Sequence, residues 1–343
     1  MASSTKWRLY VTTVTGASAC IINELQLFDD SAVNLCTGGT PSASSDVGGA
    51  HTASIAFDGN LSTYWQSANS GTPWWLQYEF ASSITPTQYS ITVGQGVSDA
   101  THPLTFELQY WDGSTWQVAD AQTENTWDAG STPRTRFYGL ATKRSWRLRA
   151  ASCQAGTNGI YIAEIQFRTA AGGANQATDS ARCRADHIQS PHDATKTIDG
   201  NAATRWYSTA SALPHDWIYT FATQTIIAEY TIQASADFPE GAPKNFTLEY
   251  YDGSAWQVVD SRISQPNWSA GEVRTYSLET TGVMVVEGPA SSFSLVGSES
   301  IIGTASFIGP ASSFDLVGSY NPNAYAIISP NGAINPGVRC FRF

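Results

Sequence analysis

The feature that most limits what this 343-residue chain can fold into is an internal repeat with a period of about 140 residues. Trp7-Arg8-Leu9 returns as Trp146-Arg147-Leu148, and Ile22-Asn23-Glu24-Leu25-Gln26-Leu27 returns as Ile162-Ala163-Glu164-Ile165-Gln166-Phe167. Phe57-Asp58-Gly59-Asn60, with Thr63 and Trp65, matches Ile198-Asp199-Gly200-Asn201, with Thr204 and Trp206. Trp75 to Phe80 matches Trp217 to Phe221 with one residue of slack, and Phe106 to Trp116 matches Phe246 to Trp256 with none. A chain that carries the same motifs twice in the same order builds one domain twice, each copy with its own core.

Within each copy the apolar residues alternate with period two (Phe106, Leu108, Tyr110; Phe246, Leu248, Tyr250), and Asp-Gly-Ser segments supply hairpin turns. Only 14% of residues are charged, and Gly and aromatic residues are abundant, which favours short strands over solvated helices. The expected fold is all-β: two tandem jelly-roll sandwiches over 1–145 and 146–283. Trp65, Trp75, Trp116, Trp206, Trp217 and Trp256 recur in step with the strands and are expected in the cores.

With 18 Lys and Arg against 29 Asp and Glu, the net charge of −11 argues against nucleic acid, whose binding draws on cationic side chains. The acidic surplus serves solubility, or it supplies carboxylates to a hard cation. The sequence has no signal-like apolar region and no run of about 18 apolar residues, so neither signal-peptide export nor membrane insertion is expected. Cys20, Cys36, Cys153, Cys183 and Cys340 show no CxxC spacing. Bridges within each copy and free buried thiols both remain open. No Ser-His-Asp or Cys-His arrangement, phosphate loop or HExxH motif is present, and the chain is expected not to be an enzyme.

The order Ala-Phe-Asp-Gly-Asn-x-x-Thr-x-Trp, Trp-Leu-Gln-Tyr-x-Phe, Phe-x-Leu-x-Tyr-x-Asp-Gly-x-x-Trp resembles the discoidin, or coagulation-factor type C, branch of the galactose-binding-like fold. The resemblance spans about residues 7 to 283. One departure stands out: the strand carrying Glu-Leu or Glu-Ile, which closes the domain in that family, opens each copy here. Moving one edge strand from the end to the start keeps its contacts when the termini are adjacent. This arrangement resembles bacteriophage structural proteins. The alternative partition lets Trp146 to Phe167 close the first domain and leaves Trp7 to Leu27 without a partner.

The resemblance implies a structural calcium site at each Asp-Gly-Asn loop. Its ligands would be Glu24, Asp58, Asn60 and Thr63 in the first copy, and Glu164, Asp199, Asn201 and Thr204 in the second. The other reading is a turn capped by its own Asp and Asn side chains, without metal. The resemblance also implies ligand binding by loops at one end of each sandwich, with a cell-surface glycan as partner. Candidates are Tyr207, His215, Asp237, Phe238 and Lys244 in the second copy, and Gln66, Gln95, Asp99 and His102 in the first. His51 and His192, each seven residues before the loop Asp, read as turn or short-helix entries.

From 284 to 343 the chain changes character. Gly288-Pro289-Ala290-Ser291-Ser292-Phe293 returns 21 residues later as Gly309-Pro310-Ala311-Ser312-Ser313-Phe314. Units this short cannot bury both faces of a strand alone, so the segment is expected to be a small β-rich attachment element. Its partners would be other virion proteins or copies of the same chain. The functional expectation is a bacteriophage virion or tail-associated protein, assembled in the host cytoplasm, that recognises glycan. The alternative is a decoration or fibre protein whose sandwiches act as spacers.

Overall fold

The computed structural model describes residues 2–278 apart from 17–18, 69–70, 95–100, 126, 128–132, 155–158 and 209–211. Beyond 278 it describes only the backbone of four-residue strands at 284–287, 293–296, 305–308, 314–317, 325–328 and 339–342. The described residues form strands and short 3-10 turns, as the alternating pattern requires. No helix among them is long and apolar enough to cross a membrane. Two compact units emerge, Met1–Tyr276 and Ser277–Phe343.

Within the first unit each repeat builds two facing sheets. In the first repeat the five-stranded sheet runs Thr40–Ala43, Trp74–Ile84, Ser4–Val14, Pro103–Trp111, Trp116–Thr123. The opposing sheet runs Arg134–Gly139, Gln88–Val93, Glu24–Phe28. Trp7, Leu9 and Val11 from one sheet and Leu25, Leu27, Tyr89 and Ile91 from the other belong to one buried core. In the second repeat the five-stranded sheet runs Cys183–Ala185, His215–Thr220, Ser145–Cys153, Pro243–Tyr251, Trp256–Arg262. Its partner sheet runs Trp206–Tyr207, Tyr161–Arg168, Glu229–Ala234, Val273–Ser277.

The transposed element is larger than one edge strand. Ser4–Val14 pairs on both sides, with Trp74–Ile84 and with Pro103–Trp111, so it is central in its sheet. Only the strand that follows it, Glu24–Phe28, lies at an edge. Ser145–Cys153 is likewise central, between His215–Thr220 and Pro243–Tyr251.

Register also corrects the tryptophan expectation. Leu9 faces Leu76 and Leu148 faces Trp217, so Leu76, not Trp75, is the counterpart of Trp217. Trp65, Trp206 and Trp217 are buried, whereas Trp75, Trp116 and Trp256 are half-buried on outward faces. Trp74, one position away, takes the inward place because successive strand residues point to opposite faces. Cys20, Cys36, Cys153 and Cys183 are buried thiols outside any disulfide. Burial pushes the Cys36 thiol up to about 12, so it is inert at neutral pH. The Cys340 side chain lies outside the described residues.

Polar groups buried between the repeats join them. Glu124 of the first repeat accepts from Arg136 at 2.6 Å, from the Tyr138 hydroxyl at 3.0 Å and from Arg184 of the second repeat at 3.3 Å. Burial alone would raise the Glu124 pKa, but Arg136 and Arg184 outweigh it and hold the carboxyl below its usual range. Arg144, fully buried, donates to Asp30 Oδ1 at 2.7 Å on one side and to the Ala222 carbonyl on the other.

In the second unit, Met284–Glu287 lies parallel to Ala305–Ile308, with Met284 opposite Ala305. Phe293–Val296 lies parallel to Phe314–Val317, with Phe293 opposite Phe314. Both pairings are offset by 21 residues, the period of the sequence repeat. Tyr325–Ile328 pairs antiparallel with Arg339–Arg342.

Removing one partner of a buried charge cluster leaves the rest uncompensated. Glu124→Ala is therefore expected to cost about 3–5 kcal/mol of stability. Chemical denaturation checks this, and a change below about 1 kcal/mol would remove the cluster from the account of how the repeats are joined.

Candidate functional site

The two Asp-Gly-Asn loops fold alike. Asp58 Oδ1 accepts from the Asn60 amide at 2.8 Å, and Asp199 Oδ1 accepts from the Asn201 amide at 2.9 Å. The Thr63 hydroxyl lies 3.1 Å from Asp58 Oδ2 and 2.7 Å from the Asn60 carbonyl oxygen. Thr204 repeats this at 2.8 Å and 2.9 Å from Asp199 Oδ2 and the Asn201 carbonyl oxygen. Gly59 and Gly200, at φ of 74° and 72°, supply the left-handed turn. The Asn side chains cap the loop, each accepting a backbone amide at 3.1 Å. The Asn60 and Asn201 positions therefore offer backbone carbonyls inward rather than their side chains.

Behind each loop stands a buried acid. Glu24 is 1% exposed and Glu164 8%. Neither carboxylate oxygen of Glu24, nor Oε1 of Glu164, has a well-formed hydrogen bond, although the backbone amides of Gly59 and Asn60, and of Gly200 and Asn201, come near enough to favour the charged form. Burial, and then the neighbouring Asp58, push Glu24 up to about 8. Burial and Asp199 push Glu164 up to about 7. Two acids drawn together raise each other's cost of ionisation, which Lys196 Nζ, 3.9 Å from Asp199 Oδ2, offsets in part in the second repeat. The donors are carboxylate, hydroxyl and carbonyl oxygens, the hard set that calcium takes, and the orphaned Glu oxygens face the Asp, so the residues fit such an ion. Among the described residues no group of three or more His, Cys, Asp or Glu side chains is gathered for a metal. Each loop brings two acids, and the remaining ligands would be neutral oxygens.

The ligand candidates separate into three groups. Tyr207 and Phe238 lie on either side of Tyr161: the Tyr161 ring stacks on Tyr207 at 4.2 Å and 11°, and on Phe238 at 5.2 Å and 20°. The Arg205 guanidinium sits 4.4 Å from the Phe238 ring centre and 3.4 Å from Asp237 Oδ2. Gly241 and Gly159 lie beneath the stack. A Cβ at Gly241 would sit 1.9 Å from the Tyr161 ring, and one at Gly159 would sit 2.7 Å from Tyr207. Tyr207 and Tyr161 face each other across a short strand pair; the equivalent pair in the first repeat is Gln66 and Ile21. The cluster thus belongs to the second repeat alone among the described residues. Phe238 is 37% exposed, so the stack ends at solvent. Tyr161 and Arg205 are the members that sequence reasoning missed.

His215 and His102 are corrections. His215 is fully buried, its Nδ1 at 2.5 Å from Ser208 Oγ and its ring stacked on His187 at 4.3 Å. It holds the inward position that Trp74 holds in the first repeat, opposite Ala150 where Trp74 is opposite Val11. His102 is 1% exposed and packs edge-on against Trp127 at 6.0 Å. Neither is placed to touch a ligand. Lys244 and Gln66 are half-buried strand residues outside the aromatic stack, and Gln95 and Asp99 lie outside the described residues. His51 falls in the 3-10 turn Gly49–His51 and stacks on Tyr64 at 4.3 Å, and His192 precedes the turn Ala194–Thr197.

The raised acids set a pH dependence. A carboxyl whose folded pKa lies above its unfolded value of 4.5 contributes stability that is fully present below 4.5 and lost as pH rises through the folded value. In metal-free solution the melting temperature is expected to fall from about pH 5 to pH 8, and Glu24→Gln with Glu164→Gln should flatten that decline. A profile unchanged by the double substitution would mean that these acids are not the source.

No curated protein matches the chain. A family model for the F5/8 type C domain matches residues 40–165 and 176–285. The first span takes in Ser145–Cys153 and stops within Tyr161–Arg168, strands that pair inside the sheets of the second repeat. The family's sequence order therefore runs across the two sandwiches, the signature of a repeat that opens with what is elsewhere its closing pair of strands. With more than half of its length matched, the chain belongs to the F5/8 type C, or discoidin, domain family.

Proposed function

We propose that the chain is a non-enzymatic adhesion protein that recognises cell-surface glycan through the aromatic cluster of its second sandwich. Domains of this family are typically non-catalytic modules that bind carbohydrate or other ligands. The observation that carries the reading is the Tyr207–Tyr161–Phe238 stack with Arg205 and Asp237 at its rim. Locked rings offer a flat apolar surface to the C–H face of a sugar, and the adjoining guanidinium and carboxylate reach its hydroxyls. No proton transfer or bond cleavage is required of these groups.

Calcium at the two loops is part of the proposal. Glu24, Asp58, Thr63 and the Asn60 carbonyl would hold one ion, and Glu164, Asp199, Thr204 and the Asn201 carbonyl the other. The ion would supply positive charge between the paired acids and fix the loop against the sheet. Added calcium is expected to raise the melting temperature at pH 8 in the parent protein and not in Glu24→Gln/Glu164→Gln. A calcium response that is absent, or identical in both proteins, rejects the ion.

The domain limits are proposed as 1–145, 146–283 and 284–343, the last serving to attach the protein to a particle or to sister subunits. The permuted repeats and the 21-residue units support a bacteriophage virion or tail-associated role. The second reading, a decoration or fibre protein with spacer sandwiches, is favoured by one observation: the first repeat has Ile21 and Gln66 where the second has stacked tyrosines. A glycan array decides between them. Glycan binding by the intact chain that weakens about tenfold in Phe238→Ala and Tyr207→Ala, or ~1.4 kcal/mol, supports recognition. Binding to no glycan favours the spacer.

A further inference from the structure

We propose a second carbohydrate-binding surface on the outward face of the first sandwich's five-stranded sheet, formed by Trp75, Tyr10, Arg8 and Trp116 and suited to an extended, uncharged polysaccharide. It lies on a different sandwich from the Tyr161 cluster and shares no residue with it.

Trp75 and Tyr10 are opposite each other on neighbouring strands, both half-buried. The Arg8 guanidinium lies 4.9 Å from the Tyr10 ring centre and 4.1 Å from that of Trp116. The Arg8 Nε donates to Gln109 Oε1 at 2.7 Å, and Gln109 in turn donates to Glu107 Oε2 at 2.6 Å. The row crosses four adjacent strands. It runs obliquely, since Trp75 is opposite Tyr10 while Trp116 is opposite Trp111, so its length exceeds the about 14 Å of three strand spacings and is more than one sugar ring. Planar groups lie along it, with amide, guanidinium and carboxylate edges beside them, the mixture that takes the faces and hydroxyls of a carbohydrate.

Charge selects the kind of polymer. Arg8 and Glu107 are joined through Gln109 and offset each other, so the face carries no surplus cation for a polyanion, and the chain's net charge of −11 repels one. A neutral polysaccharide meets neither obstacle.

The second repeat provides the comparison that separates function from scaffold. There the positions of Tyr10 and Trp75 are held by Arg149 and Asp216, opposite each other in the same register and ion-paired at 2.9 Å. Arg147, the counterpart of Arg8, pairs with Asp216 and Glu249. The same sheet is built with an ion pair at these positions, so the aromatic pair of the first repeat is not a demand of the fold.

The test is affinity electrophoresis of the full chain in gels containing galactomannan, xyloglucan or dextran, and in gels containing hyaluronate or polygalacturonate. Retardation is expected in at least one neutral gel. Tyr10→Arg/Trp75→Asp, which installs the pair that the second repeat already tolerates, should weaken retardation about tenfold while leaving the melting temperature near that of the parent. Trp116→Ala gives a second reading should the double variant not fold. Phe238→Ala should leave neutral-polymer retardation in place. No retardation in any neutral gel, or retardation by the acidic polymers alone, overturns the proposal. Retardation lost in Phe238→Ala but kept in Tyr10→Arg/Trp75→Asp also overturns it, leaving the Tyr161 cluster standing.

Discussion

The structure rests on the two-sided pairing of the strand that opens each repeat. Ser4–Val14 and Ser145–Cys153 each hydrogen-bond to a neighbour on both edges, and each sends a tryptophan, Trp7 or Trp146, into the core. A central strand fixes the register of everything beside it, because a shift by one residue would turn its apolar set outward. This also explains how the repeat can begin with strands that end it elsewhere in the family. The contacts of a central strand depend on its neighbours in space, and the order in which the chain visits them is free wherever the ends meet.

On that shared frame the two copies have diverged in what they expose. The Asp-Gly-Asn loop and its buried Glu are the same in both. The loop end of the second copy carries stacked tyrosines where the first has Ile21 and Gln66. The outer sheet face of the first copy carries aromatics where the second has an Arg149–Asp216 ion pair. The buried Glu124 cluster and Arg144, with ligands from both copies, join the repeats through groups that are costly to separate.

Much of this was legible in the sequence because it is written twice. The period gave the tandem organisation, alternation gave the strands, and the paired recurrence of Glu24 with Asp58 and Glu164 with Asp199 singled out the loops. What failed was the reading of single positions by residue type. His215 suggested a ligand-binding group, yet counting back by two from Trp217 and Tyr219 places it on the inward face. Trp75 suggested core, yet the same count places Trp74 there. Tyr161 and Arg205 went unnoticed because they adjoin motifs already assigned to the scaffold. The signal that marks them is the difference between copies, Tyr161 against Ile21 and Arg205 against Tyr64.

The C-terminal register has a consequence of its own. Each of the four parallel strands lies beside its counterpart one sequence unit away, Phe293 on Phe314 and Met284 on Ala305. Adding one whole unit in the same register would therefore give each new strand the same partner positions. Each addition would widen its sheet by a single strand spacing of about 4.8 Å.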